Sequence, residues 1–98
     1  MASTPEPAPP VEVTVYHAAQ CHLCERALAQ VRSLRAELGF ALEEVAIDGD
    51  PELEASYREL IPVVELDGER LFTYYVHEEA FRRRVAAAAQ ARAEDGRL

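Results

Sequence analysis

The stretch VEVTVYHAAQCHLCERAL, residues 11–28, decides the fold predicted for this chain. Its first part, 11–16, alternates apolar and polar residues and is rich in β-branched types, which is typical of a strand. A short turn at 17–20 follows, and the next apolar residues recur at helical spacing. They are Leu23, Ala27, Val31, Leu34 and Leu38. The sequence therefore places two cysteines, Cys21 and Cys24, where a strand gives way to a helix.

The remaining pattern predicts the order β-α-β-α-β-β-α. Gly39 is well placed to end the first helix, and Asp50 and Pro51 are typical of the start of the second. Asp67-Gly68 predicts a tight hairpin turn between two antiparallel strands, whereas the first β-α-β unit implies a parallel pair. The other predicted elements are strands at 41–47, 62–66 and 69–75 and helices at about 51–58 and 76–93, the last with Phe81, Val85, Ala88 and Ala89 as its buried stripe.

The chain length of 98 residues indicates one domain. Residues 1–10 hold four of the six prolines, so we expect a disordered tail there. The folded domain is expected at 11–93, and residues 94–98 are expected to form a frayed tail.

The charge balance limits the partners that the chain can have. Its net charge is −8, and all ten of its cations are arginines. Nucleic-acid-binding proteins concentrate positive charge on one face, so we expect no nucleic-acid partner. The sequence has no apolar run of the roughly 20 residues that span a bilayer, and its first residues do not resemble a secretory signal. We therefore expect a cytoplasmic protein without a membrane partner.

Cys21 and Cys24 are the candidate catalytic residues. A disulfide across so short a loop stabilises a fold by only about 2 kcal/mol. A chemical role therefore explains the cysteine pair better than a structural disulfide does. Cysteine pKa values fall at helix N-termini and in C-x-x-C pairs, which favours Cys21 as the attacking thiolate and Cys24 as the resolving thiol. Half of a zinc site is the alternative, although zinc usually has four ligands and no further cysteines exist.

Pro62, with Ile61 before it, and His22 are also candidate site residues. Pro62 opens a predicted strand after Ile61, where a cis bond would explain it, although most prolines of this kind are trans. His22 lies between the cysteines and either stabilises a Cys21 thiolate or is a solvent-exposed spacer. Glu25 is expected to stabilise the first turn of the helix.

The motifs CHLCERAL and IPVVELDGE, with the strand before the cysteines, resemble glutaredoxin-like members of the thioredoxin superfamily, in particular a small bacterial group that reads C-x-L-C-E. The resemblance covers residues 11–85 and implies an α/β fold of the thioredoxin/glutaredoxin type, a four-stranded mixed sheet with helices on both faces. It also implies a cis Pro62 beside Cys21 and pairing of the Ile61 backbone with the substrate.

Residues typical of glutathione-using relatives differ in this chain. A basic residue before the cysteines is replaced by the segment at 17–20, and a Gly-Gly pair at the last helix is replaced by bulky and acidic residues at 74–79. These differences predict weak glutathione binding, because an anionic tripeptide would meet repulsion there.

The sequence thus predicts a thiol–disulfide oxidoreductase that reduces disulfides of proteins or small molecules. It is expected to be a monomer that uses its redox-active disulfide in place of any cofactor or metal, with an unidentified reductant. The alternative is a non-catalytic adaptor of the same fold that senses redox state or binds a metal.

Overall fold

The structure, a computed structural model, describes residues 10–95. The predicted proline-rich tail therefore lies outside the described residues except for Pro10. The order β-α-β-α-β-β-α is confirmed. The elements are β1 (Glu12–His17), α1 (His22–Leu38), β2 (Ala41–Ala46), α2 (Pro51–Tyr57), β3 (Val63–Leu66), β4 (Glu69–Thr73) and α3 (Glu78–Asp95).

The four strands form one mixed sheet in the order β2-β1-β3-β4. β1 runs parallel to β2 and antiparallel to β3, and β3 pairs with β4 as an antiparallel hairpin. The turn of that hairpin is Asp67-Gly68, and both residues have positive φ angles, of 51° and 84°. This is the primed turn that the sequence predicted.

The core lies on one face of the sheet, under α1 and α3. Val13 and Val15 of β1 project into it from alternate positions, as strand geometry requires. They join one buried cluster with Val31 of α1 and Phe81 of α3. Phe81 is fully buried and packs edge-on against Phe40 at a ring-centroid distance of 5.4 Å.

The ends of the first two helices follow their predicted signals. Gly39 ends α1 in the left-handed conformation, with φ at 79°. Asp50 caps α2, where its carboxylate accepts hydrogen bonds from the amides of Glu52 and Leu53 at 3.0 and 3.1 Å. These bonds satisfy amides that a helix start leaves without partners.

Three details of the sequence prediction were wrong. On α1, Leu23 is only partly buried, and Cys24 and Leu28 face the core in its place. On α3, Ala89 is exposed although it lies one turn after the buried Val85. Finally, β4 ends at Thr73, two residues early, and α3 runs from Glu78 to Asp95, into the predicted C-terminal tail.

The short helix α2 covers part of the opposite sheet face. Its Tyr57 stacks on Tyr16 of β1 with ring centroids 4.0 Å apart. The Tyr57 hydroxyl donates a hydrogen bond to Glu65 Oε2 at 3.3 Å. Burial, the hydrogen bond with Tyr16 and the charge of Glu65 raise the pKa of Tyr57 to about 12. Helices thus lie on both faces of the sheet. Within residues 10–95, no helix has the length and apolar character that crossing a bilayer demands.

We predict that Phe81→Ala lowers the free energy of unfolding by about 3–5 kcal/mol, because it leaves a cavity in the buried cluster. Ala89→Ser, on an exposed face of the same helix, should change it by no more than about 0.5 kcal/mol. Denaturant titrations of both variants test this. A loss at Ala89 as large as that at Phe81 would contradict the observed orientation of α3.

We predict that Tyr57 links stability to alkaline pH. The folded chain holds the Tyr57 proton more tightly than the unfolded chain does, since its pKa is raised from 10.0 to about 12. Its contribution is complete below about pH 10 and disappears as the pH rises through about 12. Denaturant titrations at a series of pH values measure the free energy of unfolding. Between about pH 10 and 12, this free energy should fall less steeply with pH for Tyr57→Phe than for the wild type. Retention of the full wild-type slope by Tyr57→Phe would contradict this prediction.

Candidate functional site

One edge of the sheet gathers the ends of all four strands. The parallel pairing brings the carboxyl ends of β1 and β2 together. The antiparallel pairings place Tyr16 opposite Val63, and Val63 opposite Thr73. The segments that follow β1, β2 and β4, and the one that precedes β3, therefore meet at this edge.

The loop at 18–20, between β1 and α1, is fixed by the neighbouring strand. The Ala19 amide donates a hydrogen bond to Asp48 Oδ2 at 2.9 Å, and the Ile47 amide donates to the His17 carbonyl at 2.8 Å. Ala18 is buried below the loop. Gln20 turns the chain with a left-handed φ of 57°, which few residues other than glycine adopt. These contacts determine where Cys21 lies.

Cys21 is the N-cap of α1, in an extended conformation with φ at −121° and ψ at 103°. Its sulfur accepts a hydrogen bond from the Cys24 amide at 3.1 Å, and its carbonyl accepts one from the Glu25 amide at 3.0 Å. The sulfur thus occupies the place that a Ser or Asp oxygen takes at other helix starts. There the amides and the helix dipole favour negative charge.

The two cysteines form a disulfide, with their Cα atoms 5.2 Å apart. Their surroundings differ. Cys24 lies in the first turn of the helix and is only 1% exposed, whereas Cys21 is half-buried at the surface. A reagent or substrate thus meets the Cys21 side of the disulfide first.

His22 and Glu25 lie on the solvent side of the same helical turn. The His22 side chain is 100% exposed, and its Nδ1 is 3.6 Å from Glu25 Oε2, whose side chain is 74% exposed. An ion pair so open to water contributes little to stability. The structure therefore places His22 next to the cysteines but turned to solvent.

Ile61 and Pro62 immediately precede β3 and lie at the same edge of the sheet. Their peptide bond is cis, and Pro62 immediately precedes the Val63–Tyr16 pair. Pro62 is buried, and Ile61 is half-buried. The structure thus brings the predicted site residues, Cys21, Cys24, His22, Ile61 and Pro62, to one end of the sheet.

Two contributors to this edge were missed from the sequence. Asp48 was not singled out as a site residue, although its carboxylate accepts a hydrogen bond from the loop before Cys21. Tyr74 was placed in a strand, but it has a left-handed φ of 68°. Its amide donates to the Pro62 carbonyl at 2.9 Å, and its hydroxyl donates to the Glu59 carbonyl at 2.6 Å. The turn-forming residues at 48–51 could have pointed to Asp48, whereas nothing in the neighbouring sequence distinguishes Tyr74 from a strand residue.

This arrangement suits transfer of two electrons between a cysteine pair and a disulfide. One sulfur is accessible and hydrogen-bonded at a helix start, and the other is buried within bonding distance of it. In the part of the chain that the structure describes, no group of three or more His, Cys, Asp or Glu side chains is arranged to hold a metal ion.

Comparisons with known proteins agree with this description. The family model described as glutaredoxin-like domain (DUF836) matches residues 12–86. The uncharacterized protein Rv0508 of Mycobacterium tuberculosis is 32% identical to this chain, over 89% of this chain and 95% of that protein.

Solved structures show the same architecture. Protein Ne2328 from Nitrosomonas europaea matches with a TM-score of 0.65 and 29% identity, covering 85% of this chain and 96% of that one. Thioredoxin from Fasciola hepatica matches with a TM-score of 0.57 over 80% of each chain, and at 21% identity this shows the fold alone. The fold and the Cys-x-x-Cys pair at disulfide distance support a redox function. The chain belongs to the family described as glutaredoxin-like domain (DUF836).

Proposed function

We propose that this chain is a thiol–disulfide oxidoreductase that reduces disulfides of proteins or small molecules. The observation that carries the proposal is the Cys21–Cys24 disulfide at the start of α1, with one cysteine at the surface and the other buried. We place the reaction in a reducing cytoplasm, where such a cysteine pair is more often redox-active than a stabilising disulfide.

The reaction has two exchange steps. In the reduced protein, the Cys21 thiolate attacks one sulfur of the substrate disulfide, and the other substrate sulfur leaves as a thiolate. The Cys24 thiolate then attacks Cys21 Sγ, releases the second substrate thiol and forms the Cys21–Cys24 disulfide. Two electrons pass from the protein to the substrate, and a separate thiol reductant restores the dithiol.

The helix start supports the order of these steps. The amide of Cys24, 3.1 Å from Cys21 Sγ, donates to that sulfur and favours its thiolate form. Cys24 is too buried to meet a large substrate directly, but it lies within disulfide distance of Cys21. Cys21 is thus the attacking residue, and Cys24 is the resolving one.

We assign substrate contact to the neighbours of Cys21. The Ile61 backbone, before the cis bond, offers hydrogen-bonding groups at the edge where a peptide would lie. The exposed His22 imidazole is free to face a bound substrate. In this proposal the protein acts as a monomer without a metal or organic cofactor.

Strong glutathione binding is not part of the proposal. Arg26 lies two residues after Cys24 in α1, and Arg58 is the C-cap of α2. Arg58 is bound to Glu54 Oε1 at 2.7 Å, and this hydrogen bond and the charge of Glu54 raise the pKa of its guanidinium. The Arg58 side chain is therefore already paired with a carboxylate of α2. Glu78 and Glu79 begin α3, where an anion would need donors.

We predict opposite behaviour for the two cysteine variants. Cys21→Ser should lower the rate of disulfide reduction by about 100-fold or more, because the attacking thiolate is gone. Cys24→Ser should instead accumulate a mixed disulfide on Cys21. Insulin reduction with dithiothreitol measures the rate, and mass spectrometry of the trapped species locates the bond.

Each cysteine variant is the matched control for the other. Both lack the intramolecular disulfide, so both lose the same small stabilisation of about 2 kcal/mol. A difference between them therefore reports on chemistry. Retention of the wild-type rate by Cys21→Ser, or a mixed disulfide trapped only on Cys24, would refute the assigned roles.

We predict that turnover of a glutathione mixed disulfide, with glutathione and glutathione reductase as the electron source, shows no saturation at micromolar substrate. Missing donors for the glutathione carboxylates are the reason, since each charged hydrogen bond is worth about 1.5–3 kcal/mol. The same mixed disulfide with dithiothreitol as reductant is the control. Saturation at micromolar concentration would show a glutathione site.

A further inference from the structure

Two consecutive tyrosines lie uncovered at the same edge as the cysteines. Among residues 10–95, Tyr74 and Tyr75 are the large hydrophobic side chains that stay exposed, at 41% and 56%. Burial of an aromatic ring is favourable, and aromatic residues are enriched where proteins meet. We call this pair the tyrosine surface.

The tyrosine surface is held in place by the loop that carries the cis proline. The Tyr74 amide donates to the Pro62 carbonyl and its hydroxyl donates to the Glu59 carbonyl, at 2.9 and 2.6 Å. Tyr74 thus contacts both ends of the segment at 59–62. Tyr75 is tied back by its amide to the Thr73 carbonyl at 2.8 Å. Its ring is left free to contact a partner.

The sheet order sets the distance between the tyrosine surface and the reacting sulfur. β4 lies two strands away from β1, which leads to Cys21. Since neighbouring strands are about 4.8 Å apart, the ends of β1 and β4 lie about 10 Å apart, and this sets the scale of the separation between Cys21 and the tyrosine surface. An extended chain rises about 3.3 Å per residue. A substrate whose cysteine lies on Cys21 would therefore reach the tyrosine surface about three residues away.

The charge around the tyrosine surface favours a cation at that position. Glu59 is exposed and lies in the segment that Tyr74 holds, and Glu79 is exposed in the first turn of α3. Glu78, Glu25 and Asp48 add further carboxylates at this edge, although Glu78 is shared with Gln30 and Arg82. Arg26 and Arg58 oppose them, and Arg58 is already paired with Glu54. An aromatic ring also attracts cations through its face.

We propose that the tyrosine surface binds a cationic segment of a disulfide-containing protein, with an Arg or Lys side chain about three residues from the cysteine that Cys21 attacks. This inference rests on the proposed function and names its substrate class. The cation lies over the exposed ring of Tyr75, and the exposed carboxylates of Glu59 and Glu79 in the adjoining segments attract it. Acidic disulfide proteins are repelled by the same carboxylates.

Two short peptides, each linked to a second copy of itself by one disulfide, test the proposal. They are identical except for Arg or Glu three residues from the cysteine. In a single turnover, the reduced full-length protein converts one linked pair into two thiol peptides and becomes oxidised itself. At about 0.01 M salt we expect about tenfold faster reduction of the Arg peptide. The preference should fall below about threefold near 1 M salt, where the Debye length is about 3 Å.

Variants of the protein then show which residues cause the preference for the Arg peptide. Tyr75→Ser should reduce the preference for the Arg peptide by about threefold, and Tyr75→Phe should keep it because the ring remains. The double variant Glu59→Gln/Glu79→Gln should also reduce it. Its matched control, Glu12→Gln/Glu94→Gln, removes the same charge at the start of β1 and near the end of α3, and should leave the preference unchanged.

Wild-type reduction of a small uncharged disulfide, 2-hydroxyethyl disulfide, separates the possible failures. If this disulfide is reduced but the two peptides react equally fast at low salt, the inference is wrong and the proposed function stands. If neither the peptides nor this disulfide is reduced, both are wrong. A preference that stays at about tenfold in Tyr75→Ser would overturn the inference.

Discussion

The pairing of β1 with both β2 and β3 is the constraint on which the rest of the molecule depends. As a central strand, β1 has both edges hydrogen-bonded, and its Val13 and Val15 anchor the core. The point at which β1 ends is therefore fixed from two sides. Because only four residues, 18–21, separate β1 from α1, the first turn of α1 has little freedom, and the cysteine that caps it is positioned by this central strand.

Much of this arrangement could be predicted from local sequence. Alternation in β1 and the helical repeat of α1 are strong signals, and Asp50, Gly39 and the Asp67-Gly68 turn act through contacts with near neighbours. A redox function at the cysteines was also predictable, because their spacing and their place before a helix favour it. These features depend on residues a few positions apart, which a sequence displays directly.

The remaining features depend on contacts between distant segments. Tyr74 is left-handed because its amide and hydroxyl bind the loop at 59–62, and a sequence pattern predicts a strand there instead. Asp48 acts on Ala19, 29 positions earlier. Leu23 and Ala89 were wrongly placed in the core, because apolar spacing alone does not fix where a helix rests on its sheet.

The acidic balance of the chain and the thiolate chemistry of its site act over different distances. A net charge of −8 would oppose a thiolate if every carboxylate counted equally. Charges in water are screened beyond about 8 Å at physiological salt, so a sulfur 3.1 Å from an amide is governed by that amide and the helix start. A protein partner instead meets many carboxylates at once as it approaches. In the proposed reaction, the local amides thus act on the reactivity of the sulfur, whereas the surface charge acts on an approaching partner.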